Sequence, residues 1–363
     1  MGIIVALIIA LILLIFFGVI RGIIPAGIRA NHIINTPGGI DQMEMVEIGG
    51  IKQALYFRGQ NKDNPVILFL HGGPGFANIP FIHTFQYDWE NDYTIVNWDQ
   101  RNSGKTLSAN DPVTVAATLT IERVIADAHE VTQYIKQKLG KEKIIVLGHS
   151  WGAALGTILV QTYPEEYSMY IGTGQAVNGI EGARLCYEKA LELSRAAGNQ
   201  KDVDALMALA PYPPAAFDES IFHKAEVIGK YQAKYKIGVS VGLDTLLPAF
   251  TSPYYTIGEI IAFIKGVVNQ KKYHSGIYPF FFEYNARNYG TDYKITVCYI
   301  QGENDWQTPY SLAESFYEEI SAPYKVIYSI PDAGHFTIIG NKREFTHILV
   351  TRIRPRLAKN VLF

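Results

Sequence analysis

Apolar and polar positions divide the chain into three regimes. Residues 2–20 carry no charged or strongly polar side chain and are dominated by Ile, Leu, Val and Phe, a length that crosses the hydrocarbon core of a bilayer as one helix. No Lys or Arg precedes the stretch and no A-x-A cleavage site follows it, so it reads as an uncleaved transmembrane anchor over residues 1–21. Arg21 and Arg29 come directly after, and the preference of basic residues for the inner side of a membrane places the rest of the chain in the cytoplasm. A connector punctuated by Gly and Pro occupies residues 22–39.

Short apolar runs then alternate with helical patterns. Residues 44–48 and 51–57 flank Gly49-Gly50 and predict a β-hairpin. Residues 65–70 and 93–98 read as strands buried on both faces. Ile121, Val124, Ile125, Ala128, Val131, Ile135 and Leu139 recur at helical spacing before a further apolar run, residues 143–147. Strand patterns return at residues 294–300 and 324–330, with helical patterns at 309–320 and 342–356. Strands alternating with helices predict an α/β architecture with a mostly parallel, doubly wound sheet. In the third regime, residues 178–290, the alternation gives way to helical patterns such as 183–197 and 202–209, broken by Pro211-Tyr212-Pro213-Pro214. The expected organisation is a core of residues 40–177 and 291–363 interrupted by a helical cap at 178–290.

Composition narrows the function classes. Of 363 residues 48% are hydrophobic, enough for a large core, and the 32 basic and 34 acidic side chains leave a net charge of −2. No Lys/Arg run exceeds a pair, so nothing in the charge pattern suits nucleic acid. Cys186 and Cys298 are far apart and form no metal-ligand spacing or disulfide framework.

Candidate chemistry begins where the run 143–147 leads into Gly148-His149-Ser150-Trp151-Gly152 and then Ala153-Ala154-Leu155-Gly156. A strand, a sharp turn and a helix with one serine at the apex make Ser150 the candidate nucleophile, and the flanking glycines let strand and helix approach. Alone, G-x-S-x-G is a motif of moderate specificity; its placement between strand and helix strengthens it. A serine hydroxyl needs a base, and the base needs a partner that fixes its tautomer. Asp305 and His335 supply these from loops after two later strands, at the strand ends where open α/β sheets place their sites. Glu303 and Asp332 are rival carboxylates. His149 is assigned to packing. The developing oxyanion requires backbone donors, expected from Gly73, in His71-Gly72-Gly73-Pro74-Gly75, and from Trp151. No metal or organic cofactor is implied by this set.

His71 to Gly75, Trp98-Asp99-Gln100-Arg101 and Gly148 to Gly152 together resemble the serine-dependent proline iminopeptidase family of α/β hydrolases, over nearly the whole chain after residue 21. The resemblance implies the α/β-hydrolase fold with a helical cap, here preceded by the anchor, and release of N-terminal residues, often proline, from short peptides. It also implies acidic cap residues that hold the free amine, for which Glu181, Glu188 and Glu283 are candidates. The chain departs from the family at Asn102-Ser103-Gly104-Lys105-Thr106, where G-x-G-x-S is usual. A carboxylesterase or lipid-related hydrolase, and a catalytically silent binding protein, are the other readings.

Overall fold

The computed structural model describes residues 18–237 and 243–358. Eight strands form one sheet: β1 (Ile40–Ile48), β2 (Ile51–Gly59), β3 (Val66–Leu70), β4 (Thr94–Asp99), β5 (Ile144–His149), β6 (Tyr167–Thr173), β7 (Thr296–Gly302) and β8 (Lys325–Ile330). Their order across the sheet is β1-β2-β4-β3-β5-β6-β7-β8. β2 pairs antiparallel with both β1 and β4, whereas β4 and all strands beyond it run parallel. The expected mostly parallel sheet is therefore observed.

Every residue of β3, β4 and β5 is buried, because the sheet is covered on both faces. Leu68, Leu70 and Val146 point to one face, where helix α1 (Ile121–Leu139) packs Val124, Ala128, Val131 and Ile135 against them. Ile67, Phe69 and Ile145 point to the other, under Trp89, Phe345 and Leu349. The bounds of α1 follow from its ends: the Thr120 side chain accepts from the Arg123 amide, and Gly140 closes the helix at a φ of 61°. The chain leaves β3 toward β4 and returns on the opposite side as β5, so β3 and β5 bracket the point where the winding direction reverses. Ligands of such sheets bind in the crevice beyond the strand ends at this point.

Helix α2 (Trp151–Thr162) follows β5 directly. Between β6 and β7 lie α3 (Gly179–Ala196), α4 (Gln200–Met207), α5 (Ser220–Lys234) and α6 (Ile257–Val268), with shorter helical pieces including residues Gln270–Tyr273 and Tyr278–Glu283. This insertion leaves and re-enters through a paired neck, where the Gly179 amide donates to the Tyr284 carbonyl at 2.9 Å and the Ala286 amide to that of Val177 at 2.7 Å. Part of it has its own apolar centre: Ala190 and Leu191 of α3, Val203 and Leu206 of α4, and Ile228 of α5. Helix α7 (Tyr310–Glu319) connects β7 to β8.

The transmembrane anchor expected over residues 1–21 is corrected: among the described residues no helix is long and apolar enough to cross a membrane. Residues 1–17 of that stretch lie outside the described residues. Its described end is tied into the protein instead of standing apart from it. Arg21 donates to the Phe250 carbonyl at 2.6 Å, to that of Ser252 at 3.2 Å and to that of Tyr255 at 2.6 Å. The expected placement as a single-pass membrane protein with a cytoplasmic bulk falls with the anchor.

Candidate active site

Ser150 sits at φ 57° and ψ −117°, between β5 and α2. Such a backbone is strained for a residue with a side chain and persists only where the surroundings hold it. Both flanking glycines are sterically required. A Cβ on Gly148 would lie 2.3 Å from the Gly152 carbonyl oxygen, and one on Gly152 would lie 2.0 Å from that of Leu70 in β3. The Ser150 amide donates to the Thr173 carbonyl of β6 at 3.1 Å, so the turn is fastened from the neighbouring strand.

The glycine-rich loop after β3 lies against this turn: a Cβ on Gly72 would meet the Ser150 Cβ at 3.3 Å. Gly73 has a φ of 117°, open to glycine and few others. Trp151 opens α2, and a first-turn amide has no acceptor within its own helix. Gln100 joins the two halves. Its amide donates to His71 Nε2 at 3.2 Å, its side-chain Nε2 to the His71 carbonyl at 3.3 Å, and its Oε1 accepts from the Trp151 indole at 3.0 Å. From the insertion, Gln270 Nε2 donates to the Pro74 carbonyl, and the His274 ring fills the space beside Gly75. Burial lowers both His71 and His274 to about 4, so the loop is lined by neutral imidazoles.

His335 and Asp305 meet as the spacing predicts. His335 Nδ1 donates to Asp305 Oδ2 at 2.8 Å, with the carboxylate 1% exposed. Burial pushes the Asp305 carboxyl up, but the His335 charge and hydrogen bond and the amides of Thr308 and Gln307 outweigh it and hold the group below its ordinary value. Those amides donate to Oδ1 at 3.0 and 2.8 Å, and the Thr308 hydroxyl donates to Oδ2 at 2.9 Å. The rivals Glu303 and Asp332 are exposed to solvent.

The imidazole of His335 is carried over the end of β6. A Cβ on Gly174 would meet its Cε1 at 2.9 Å and the ring of His149 at 3.4 Å. Next to Ser150 in the chain, His149 Nε2 donates to the His335 carbonyl at 3.0 Å, and the two rings lie 4.8 Å apart. Burial, then the neighbouring His335, lowers His149 to about 3, which keeps it a neutral donor. Among the described residues Ser150 makes no side-chain hydrogen bond with His335; His149 and Gly174 bring their loops together. Bonds to a nucleophile are commonly long without substrate and tighten in its complex.

The structure does not gather the three cap glutamates. Glu181 and Glu188 flank Arg184 at 2.5 and 2.6 Å, and Glu283 accepts from the Phe217 amide at 3.0 Å. Cys186 and Cys298 are free and buried, their thiols pushed up to about 12 by burial. Among the described residues no group of three or more His, Cys, Asp or Glu is placed to hold a metal ion. Reading the sequence missed Gln100, Gln270, His274 and Thr308. Trp98-Asp99-Gln100-Arg101 marked the region of Gln100, but no pattern flagged the other three.

Residues 65–207 match the family described as "alpha/beta hydrolase fold". With the eight-stranded, mostly parallel sheet, this match gives the chain the α/β-hydrolase fold. A probable aminopeptidase of Bacillus subtilis, YbaC, is 27% identical to this chain over 87% of its length and 97% of the relative. A proline iminopeptidase of Neisseria gonorrhoeae is 32% identical over 33% of the chain and 36% of its own length. Among solved structures, a proline iminopeptidase-related protein from Thermus thermophilus shares the fold, with a TM-score of 0.50, 18% identity, and coverage of 86% of this chain and 98% of that one. The resemblance read from the motifs is thus borne out, and relatives named aminopeptidase and proline iminopeptidase agree with the expectation of a hydrolase acting on a peptide.

Proposed function

We propose that this hydrolase cleaves an amide bond of a small amide or short peptide through a serine acyl-enzyme, in the manner of an aminopeptidase. The observation that carries the reading is the His335–Asp305 pair, 2.8 Å apart, carried over Gly174 beside the strained serine turn. As Ser150 Oγ attacks the scissile carbonyl, His335 Nε2 takes its proton and Asp305 stabilises the resulting imidazolium. The amides of Gly73 and Trp151 receive the oxyanion. Collapse breaks the C–N bond, His335 protonates the leaving amine, and water releases the acyl group by the same base. Residues 178–290 act as a cap on this chemistry, with Gln270 and His274 reaching the oxyanion loop.

A second reading is a carboxylesterase or lipid-related hydrolase. It is favoured by the cap glutamates' other engagements, which leave none of them at Ser150 to hold a free amine. Incubation of purified protein with a prolyl amide and with a short-chain ester separates the two. Turnover of the amide supports the first reading, and turnover of the ester alone the second. Ser150→Ala should lower turnover at least 10³-fold, and Asp305→Asn by roughly 10⁴, both with the fold intact. Retained activity in Ser150→Ala would remove the nucleophile.

A further inference from the structure

Beside the acid–histidine pair lies a cavity of about 300 Å³ between the insertion and the segments that follow β6 and β7. That is the lower end of the range of small-molecule sites. Its origin is a mismatch of side-chain size. α3 faces it with Gly179, Gly182 and Ala183, whereas Phe222 and Ile228 of α5 and Phe281 stand opposite. Gly182 has room to spare: a Cβ there would come no closer than 3.7 Å to Pro309.

The cavity adjoins the catalytic groups without including Ser150 or His335 in its wall. Thr308, which lines it, donates to Asp305 and lies 3.2 Å from His335 Nδ1. Gln175, also in the wall, follows Gly174 beneath the His335 ring. Phe281 packs edge-on against Trp151, with ring centroids 5.4 Å apart. Among the described residues no Asp, Glu, Lys or Arg side chain lines the space; its polar groups are uncharged, such as Gln175, Gln232 and Thr308. Gln232 is itself engaged, donating to the Trp306 carbonyl at 3.1 Å. A charged group would enter without a partner and lose its hydration, while an apolar group would shed water at no such cost.

We propose that this cavity binds an uncharged acyl or aryl group of the substrate, so that the hydrolase selects substrates with a bulky apolar group beside the scissile bond. The proposal rests on the serine-hydrolase reading above and adds the substrate class. It is tested with 4-nitrophenyl acetate and octanoate. The wild type should show a kcat/KM at least tenfold higher for the octanoate. Ala183→Phe, and independently Gly182→Leu, should fill the cavity and bring that ratio close to one. In Ser150→Ala protein, 1-octanol should shift the fluorescence of Trp306 saturably, and Ala183→Phe should abolish the shift. In the wild type, 1-octanol should compete with the octanoate ester. A ratio near one in the wild type, or inhibition by 1-octanol that is not competitive, would overturn the assignment. If no ester or amide is turned over while the saturable shift persists and Ala183→Phe removes it, the catalytic reading fails and the apolar site stands.

Discussion

At the scale of single residues the turn around Ser150 is set by contacts that leave no room for a methyl group. Gly152 is the sharpest case, since a Cβ there would lie 2.0 Å from a β3 carbonyl oxygen, which cannot move without disturbing the sheet. Gly152→Ala should therefore lower stability by about 3 kcal/mol, the upper part of the overpacking range. Denaturant unfolding checks this, and an unchanged midpoint would contradict it. Ser150, Asp305 and His335 could be named as candidates from the sequence because each chemical type followed a recognisable strand, in the order serine, acid, histidine. Thr308, which shares Asp305 with His335, was not legible. A threonine three residues beyond an aspartate is unremarkable until the turn folds its hydroxyl back onto the carboxylate. His149 was assigned to packing, and its bond to the His335 carbonyl gives it a holding role that only the fold reveals.

Among the elements, boundaries followed local chemistry where caps were present, as at Thr120 and Gly140 of α1. β6 was not read from the sequence at all. Its residues Tyr167–Thr173 include Ser168, Met169 and Gly172, and form a weak strand pattern that β5 and β7 complete by pairing on either side. The single helix expected over residues 342–356 is instead a succession of short helical pieces from Lys342 to Ala358. The short helix Gln270–Tyr273 matters most for chemistry, because Gln270 fastens Pro74 next to Gly73. Under the proposed mechanism, losing that donor should let the loop around Gly73 relax, with a penalty smaller than removing an oxyanion donor outright. Gln270→Ala is expected to lower kcat roughly tenfold with little change in KM. Gln270→Glu, similar in shape but without the amide donor, should fall as far. Steady-state kinetics on both variants test the point: wild-type kcat in Gln270→Glu would make the side chain a filler and not a clamp.

Over the whole molecule, the sheet and the insertion are joined through a buried polar cluster at the end of β4. Asp99 Oδ2 accepts from the Tyr255 hydroxyl at 2.6 Å and from the Lys105 amide at 2.8 Å, while the Lys105 ammonium pairs with Glu259 of α6 at 2.6 Å. Burial raises the Asp99 carboxyl from 3.8 to about 7, against the opposing pull of Tyr255 and Lys105. Because the folded value lies above the unfolded one, the folded protein holds a proton that the unfolded chain has released between about pH 4 and 7. This contribution to stability is full below the unfolded value, is lost as pH rises through that window, and is flat above it. Asp99→Asn should remove a decline on the order of 2 kcal/mol between pH 5 and 8. Unfolding at both pH values checks this, and an equal decline in wild type and variant would refute it. The sequence by itself determined the α/β class, the serine turn and the candidate acid and base, because these depend on local periodicity and on which residue types follow a strand. Tertiary structure alone decided how the end of the apolar N-terminal stretch is held, what Glu181, Glu188 and Glu283 engage, how the loop around Gly73 is clamped, and that a cavity lined, among the described residues, by no charged side chain adjoins Asp305. Those features arise from contacts between segments tens to hundreds of residues apart, and no local pattern encodes them.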